Sequence, residues 1–117
     1  MILATTEALQ GYEVVEILGL VCGSTVRSRH VGIDVQSAMQ NLVGGEVIHY
    51  TKLLGEAREQ ALDRMVAEAR ARGADAVLAL RFSTSEIASG AAEIMAYGTA
   101  VKLRRALPAP GGGAGVA

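Results

Sequence analysis

A chain of 117 residues with a formal net charge of −1 has room for one hydrophobic core and not for two. Eleven Lys and Arg against twelve Asp and Glu supply no basic field for a phosphate backbone, which argues against nucleic acid as a partner. The single cysteine, Cys22, rules out an internal disulfide and points to a reducing compartment.

Half of the residues are hydrophobic, yet only Tyr12, Tyr50, Phe82 and Tyr97 are aromatic. The core is therefore expected to be built from Val, Leu, Ile, Met and many Ala, which implies close backbone approach. The opening Met1 to Glu7 lacks the basic and long apolar regions of a secretory leader, and no apolar run reaches the roughly 20 residues that span a bilayer. A cytoplasmic address without a membrane partner is the expectation.

Ile2 to Thr5 can form a short strand, and Glu7 to Gly11 reads as a turn. Tyr12 to Cys22 is the first convincing β segment. Tyr12, Val14, Leu18, Leu20 and Cys22 fall on one side of its pleat, interrupted by Glu16; Val15, Ile17 and Val21 fall on the other, around Gly19. Both sides are largely apolar, so something is expected to pack on each. Gly23 to His30 is polar and basic and reads as the strand's end and a loop. Asp34 is placed to cap a short helix carrying Val35, Ala38, Met39 and Leu42, which Gly44-Gly45 ends.

The strongest periodic signal runs from about Tyr50 to Arg72, where Leu54, Ala57, Ala61, Met65 and Ala69 recur every three or four residues. Lys52, Glu56, Glu59, Arg64, Glu68 and Arg72 read as the solvated side, with Glu68 and Arg72 in the favourable i,i+4 orientation. Arg70 and Arg72 suit the negative end of the helix dipole, and Gly73 suits the left-handed stop. Ala74-Asp75 turns the chain into a strand from Ala76 to about Ile87, in which Ala76, Leu78, Leu80 and Phe82 are expected to share a face. Ala88 to Ala91 reads as a hairpin loop, and Glu93 to Leu103 as the returning antiparallel strand.

On that last strand Ile94, Ala96, Gly98 and Ala100 make a narrow face able to receive the long helix. Met95, Tyr97, Thr99, Val101 and Leu103 make a bulkier one. One helix cannot cover both sides of the sheet, and a second copy of the chain is the economical cover. The reading is an α+β domain over 1–105, two layers with the helix on an antiparallel sheet in β-α-β-β order. A flexible Pro/Gly-rich tail follows over 106–117.

Val43-Gly44-Gly45, then Tyr50 with Leu54-x-x-Ala57-Arg58, then Gly73-Ala74-Asp75-Ala76-Val77, and finally Tyr97-Gly98-Thr99-Ala100-Val101-Lys102 stand in order and at matching spacing. Together they resemble the YbjQ-like family, over about Leu3 to Arg105. That family carries a heavy-metal-binding label and no established reaction. The resemblance implies a subunit of the dodecin type, assembled into a ring with the pentamer as its form; it supplies no chemistry.

Closed zinc sites announce themselves by pairs such as C-x-x-C or H-x-x-x-H, and neither occurs here. Cys22, His30 and His49 are the available S and N donors and are far apart in sequence, so a metal ion would need copies from several subunits. A lone thiol on an apolar strand behaves first as a small hydrophobe. His30 and His49 read as loop or helix-entry residues. Asp75, Arg58 and Tyr97 are the residues on which a small hydrolase or isomerase between subunits would rest. Asp75 after a helix more often bonds turn backbone, and Arg58 suits a salt bridge between subunits or from helix to sheet. Glu86 and Glu93 flank the hairpin as solvated groups, and Gly44-Gly45 lacks the rest of a nucleotide loop. The expectation is a homo-oligomeric binding or scaffold protein without a catalytic set. A metal-binding protein and a small enzyme with an intersubunit site are the alternatives.

Overall fold

A computed structural model describes residues 1–28, 45–88 and 90–107, and within them the side chains of all but 28, 45–51 and 88. Strands β1 (Ile2–Leu3) and β2 (Tyr12–Ser28) precede helix α1 (Gly45–Ala71), and strands β3 (Ala76–Ala88) and β4 (Ala91–Arg105) follow it. The sheet order is β1-β3-β4-β2. β4 pairs antiparallel with both β2 and β3, whereas β1 lies parallel to β3, so the sheet is mixed and not purely antiparallel. The parallel register follows from chain direction: Ile2 N–H reaches the Asp75 carbonyl at 3.2 Å and Ala4 N–H the Val77 carbonyl at 3.0 Å.

α1 lies on one face of this sheet. Ala57, Ala61, Met65 and Ala69 are fully buried against Val21, Val77, Leu80, Ile94, Ala96 and Ala100. The narrow face of β4 receives the helix as its small side chains imply. Three of these four fully buried helix residues are alanines, so the helix comes down close: a Cβ on Gly23 would collide with the backbone of Ala61 and Met65. The helix stops at Gly73, whose φ of +78° only glycine adopts freely, and Ala74 N–H returns to the Ala69 carbonyl at 3.0 Å.

Several sequence boundaries move. β2 does not end at Cys22 but runs on to Ser28, so 23–28 is strand and not loop. Its polar residues are held there by the helix: Thr25 Oγ1 donates to the Ala57 carbonyl at 3.0 Å, and Arg27 Nη2 donates to Gln60 Oε1 at 2.9 Å. α1 begins at Gly45, five residues before the periodic stripe, so Gly45 opens a helix and does not close one. The short helix expected after Asp34 lies outside the described residues.

The faces of the strands differ most from simple alternation. Register shifts between Val14 and Glu16 and between Ile17 and Gly19 put Val14, Ile17, Leu20 and Cys22 on one side, opposite Leu103, Val101, Thr99 and Tyr97 of β4. A third shift between Leu78 and Arg81 divides the expected β3 face: Ala76 and Leu78 pack with Val101, Ala4 and Leu9 beneath the sheet, while Leu80 joins the helix side. At this bulge Ala79 has φ 53°, a left-handed conformation that a Cβ resists.

Candidate functional site

The helix has one face to cover and leaves the other. On that far face the three long strands set Cys22 of β2 opposite Tyr97 of β4, and Tyr97 opposite Arg81 of β3. A thiol, a phenol and a guanidinium thus form one row across the sheet, with Leu20 and Thr99 in the row on one side and Ser24, Met95 and Ser83 in the row on the other. Cys22 is exposed. Arg81 Nη1 donates to the carbonyls of Thr5 and Leu80, each at 2.8 Å, which anchors the cation beside β1. Nothing in the local sequence marks Arg81 as a site residue, because only the bulge at Ala79 brings it opposite Tyr97.

The apolar side chains around this row are open to water. Ile17 is 71% exposed, Leu20 64% and Val26 55%. Below them a shallow depression of about 310 Å³ is lined by Val14, Ile17, Leu78, Thr99 and Val101, with Glu7 at its rim. Its lining suits an apolar side chain better than a charged ligand.

Those of the expected site residues that are described do not converge within the chain. Asp75 is a structural residue: its Oδ2 accepts the Leu103 N–H at 2.8 Å, and its own N–H donates to the Val101 carbonyl at 2.9 Å, which extends the β3–β4 ladder by one step. Its backbone partner is the neighbouring strand and not its own turn. Arg58 is exposed on α1, on the opposite side of the sheet from Tyr97, and makes no ion pair among the described residues. Arg58, Asp75 and Tyr97 therefore do not form one catalytic group in the chain. Glu86 is exposed and Glu93 half-buried beside the hairpin. His30 and the His49 side chain lie outside the described residues. Among the described residues no three His, Cys, Asp or Glu side chains stand close enough to hold a metal ion, and no helix is long and apolar enough to cross a membrane.

Similarity to known proteins fits this picture of a fold without a named reaction. The chain is 57% identical over 105 residues to a UPF0145 protein of Thermotoga petrophila, covering 90% of this chain and 99% of that one. It is 58% identical over 104 residues to a UPF0145 protein of Halorubrum lacusprofundi (89% and 100% covered) and 54% identical over 104 residues to one of Archaeoglobus fulgidus (89% and 96% covered). None of these names states an enzymatic activity. In structure it resembles a protein with unknown function of the DUF74 family from Pediococcus pentosaceus, with a TM-score of 0.59 at 15% identity over 89% of this chain and 98% of that one, a likeness of fold alone. The family YbjQ, described as "putative heavy-metal-binding", matches residues 1–104, and to that family the chain belongs.

Proposed function

We propose that this chain is a non-enzymatic binding or scaffold subunit that works as a homo-oligomer in the cytoplasm, its copies shielding one another's far sheet faces. The ring of dodecin-type subunits, a pentamer, is the form that the family resemblance implies. The observation that carries the reading is the exposure of Ile17, Leu20 and Val26 on a sheet face that α1 leaves bare. Burying each of these contributes about 1–2 kcal/mol at their present exposure. Association costs about 4–15 kcal/mol, so the whole face, repeated on each copy, has to take part. Size-exclusion chromatography with light scattering tests the reading. A discrete multiple of the subunit mass supports it, and a monodisperse monomer at micromolar concentration overturns it.

A second reading is favoured by the place of Cys22. Its thiol stands exposed on the far face, part-way along the edge strand β2, where copies would meet, and the family's description names heavy metals. Symmetry would then gather several thiolates at one point, which soft metal ions prefer. Zinc titration of the wild type and of Cys22→Ala separates the cases: stoichiometric binding lost in the variant supports metal binding, and equally weak binding in both removes it. An enzyme with a site between subunits would need Arg81, Tyr97 and Cys22 from the same face, and an activity screen unaffected by Tyr97→Phe speaks against it.

A further inference from the structure

β2 is an edge of the sheet, 17 residues long. Six of the nine residues from Val14 to Cys22 are Val, Ile or Leu, with one charge, Glu16, and no proline. A strand of this composition with free N–H and C=O groups along its edge is a template for another strand. Side chains of the helix engage four of those groups, from Leu18 to Ser24. Arg64 Nη1 donates to the Ser24 carbonyl. Glu68 Oε2 accepts the Cys22 N–H at 3.3 Å. Arg72 Nη1 donates to the Leu20 carbonyl at 2.9 Å and to the Leu18 carbonyl at 3.2 Å. Arg72 Nη2 and Glu68 Oε1 are joined at 2.8 Å, so two members of the series hold each other in place.

The spacing explains why one helix can do this. Four residues of helix rise about 6 Å, and two residues of strand advance about 6.6 Å. α1 runs antiparallel to β2, so each step of four along the helix meets a step of two back along the strand: Arg64 with Ser24, Glu68 with Cys22, Arg72 with Leu20. The outward backbone groups of an antiparallel edge also recur every two residues. A series at i, i+4 and i+8 therefore stays in register with them. Nearer the start of the strand, the two register shifts between Val14 and Gly19 spoil the edge by other means. On the opposite side of the sheet, β3 is covered up to Leu80 by β1 and the segment after it, where Leu80 N–H meets the Ala4 carbonyl at 3.0 Å and Ala79 N–H the Thr6 carbonyl at 2.8 Å.

We propose that Arg64, Glu68 and Arg72 form an edge guard that closes β2 to strand addition by a second copy of this chain. What reads in the sequence as the solvated side of an amphipathic helix is the part of it that governs how the molecule does not associate. The proposal holds for any number of copies meeting through the far face, and it stands if they do not meet there at all.

The test compares Arg64→Ala/Arg72→Ala with wild type and with Arg64→Lys/Arg72→Lys, followed by light scattering and thioflavin fluorescence. The alanine pair is expected to lose the discrete species of the wild type and to convert into a thioflavin-positive polymer, while the lysine pair keeps the wild-type mass. Met65→Ala, which weakens the core without touching the edge, separates guarding from stability. If the alanine pair stays discrete and thioflavin-negative, or if Met65→Ala polymerises as fast at an equal melting temperature, the proposal is overturned.

Discussion

Gly23 of β2 lies directly beneath Met65 of α1, with no room between strand and helix backbone for even a methyl group. Gly23→Ala must push the helix off the sheet or bend the strand, and the expected loss is about 1–3 kcal/mol of unfolding free energy, the range for overpacked cores. Gly55, in the same helix, has nothing within 4 Å of the position a Cβ would take. Gly55→Ala should therefore raise stability by about 0.5–1 kcal/mol. Urea denaturation of the two variants should give opposite signs; equal effects would show that helix and sheet are farther apart than described.

Thr25 is buried to 2% exposure, and its hydroxyl donates to the Ala57 carbonyl. Thr25→Val keeps the shape and removes the donor, leaving a buried acceptor with one partner fewer. A loss of about 1–3 kcal/mol is expected, read from the denaturation midpoint at unchanged slope.

Ala79 holds a φ of 53° at the bulge that carries Arg81 into line with Tyr97. A left-handed non-glycine residue costs about 1–2 kcal/mol, so Ala79→Gly should stabilise the fold by up to about 1 kcal/mol after the added freedom of the unfolded chain is counted. A clear loss of stability in thermal unfolding would contradict the strained geometry.

Much of the architecture is legible in the residues. The alanine stripe of α1 and the small-residue row of β4 select each other because only small side chains let a helix lie that close, and Gly73 marks its own turn. Face assignments along β2 and β3 were less legible, since each bulge flips the parity of every later residue and nothing in Val14-Val15-Glu16 or Leu78-Ala79-Leu80 announces the extra residue. The continuation of β2 to Ser28 was hidden for a related reason: Thr25 and Arg27 look like loop residues until the helix supplies the partners for their polar groups. The candidate site was legible only as two of its members. Cys22 and Tyr97 stood out by residue type, while Arg81 depends on register, which is a property of pairing and not of local sequence. Arg64, Glu68 and Arg72 fall on the water-facing side by periodicity alone, because helical periodicity tells which side is apolar but not that a strand edge runs beside the polar one.

Glu13 and Arg104 are opposite one another at the root of β2 and β4, with Oε1 and Nε 2.6 Å apart. The hydrogen bond from Arg104, and then its charge, hold the Glu13 carboxyl below its ordinary value of 4.5 and raise the guanidinium in turn. With a folded pKa lower than the unfolded one, the pair's contribution is present above the ordinary carboxylate range and is lost as pH falls through the lowered folded value. Both side chains are solvated, so the contribution is small. Carboxyl NMR titration should place Glu13 below an unperturbed glutamate and should move it upward in Arg104→Gln; an unmoved titration would separate the pair in solution.

Leu20 is exposed on the bare face midway along β2, and Leu20→Lys puts a charge where copies are proposed to meet. A loss of assembly at unchanged secondary structure is expected from light scattering and circular dichroism. Assembly unaffected by this change would place the contact elsewhere on the subunit.

The parallel pairing of β1 has a consequence for the newborn chain. Ile2 is matched with Ala76 and Leu3 with Val77, so β1 has nowhere to dock until the helix and the start of β3, which come after it in the chain, have been made. β1 therefore waits for a partner made well after it, and its joining the sheet is a late step of folding and not an early one.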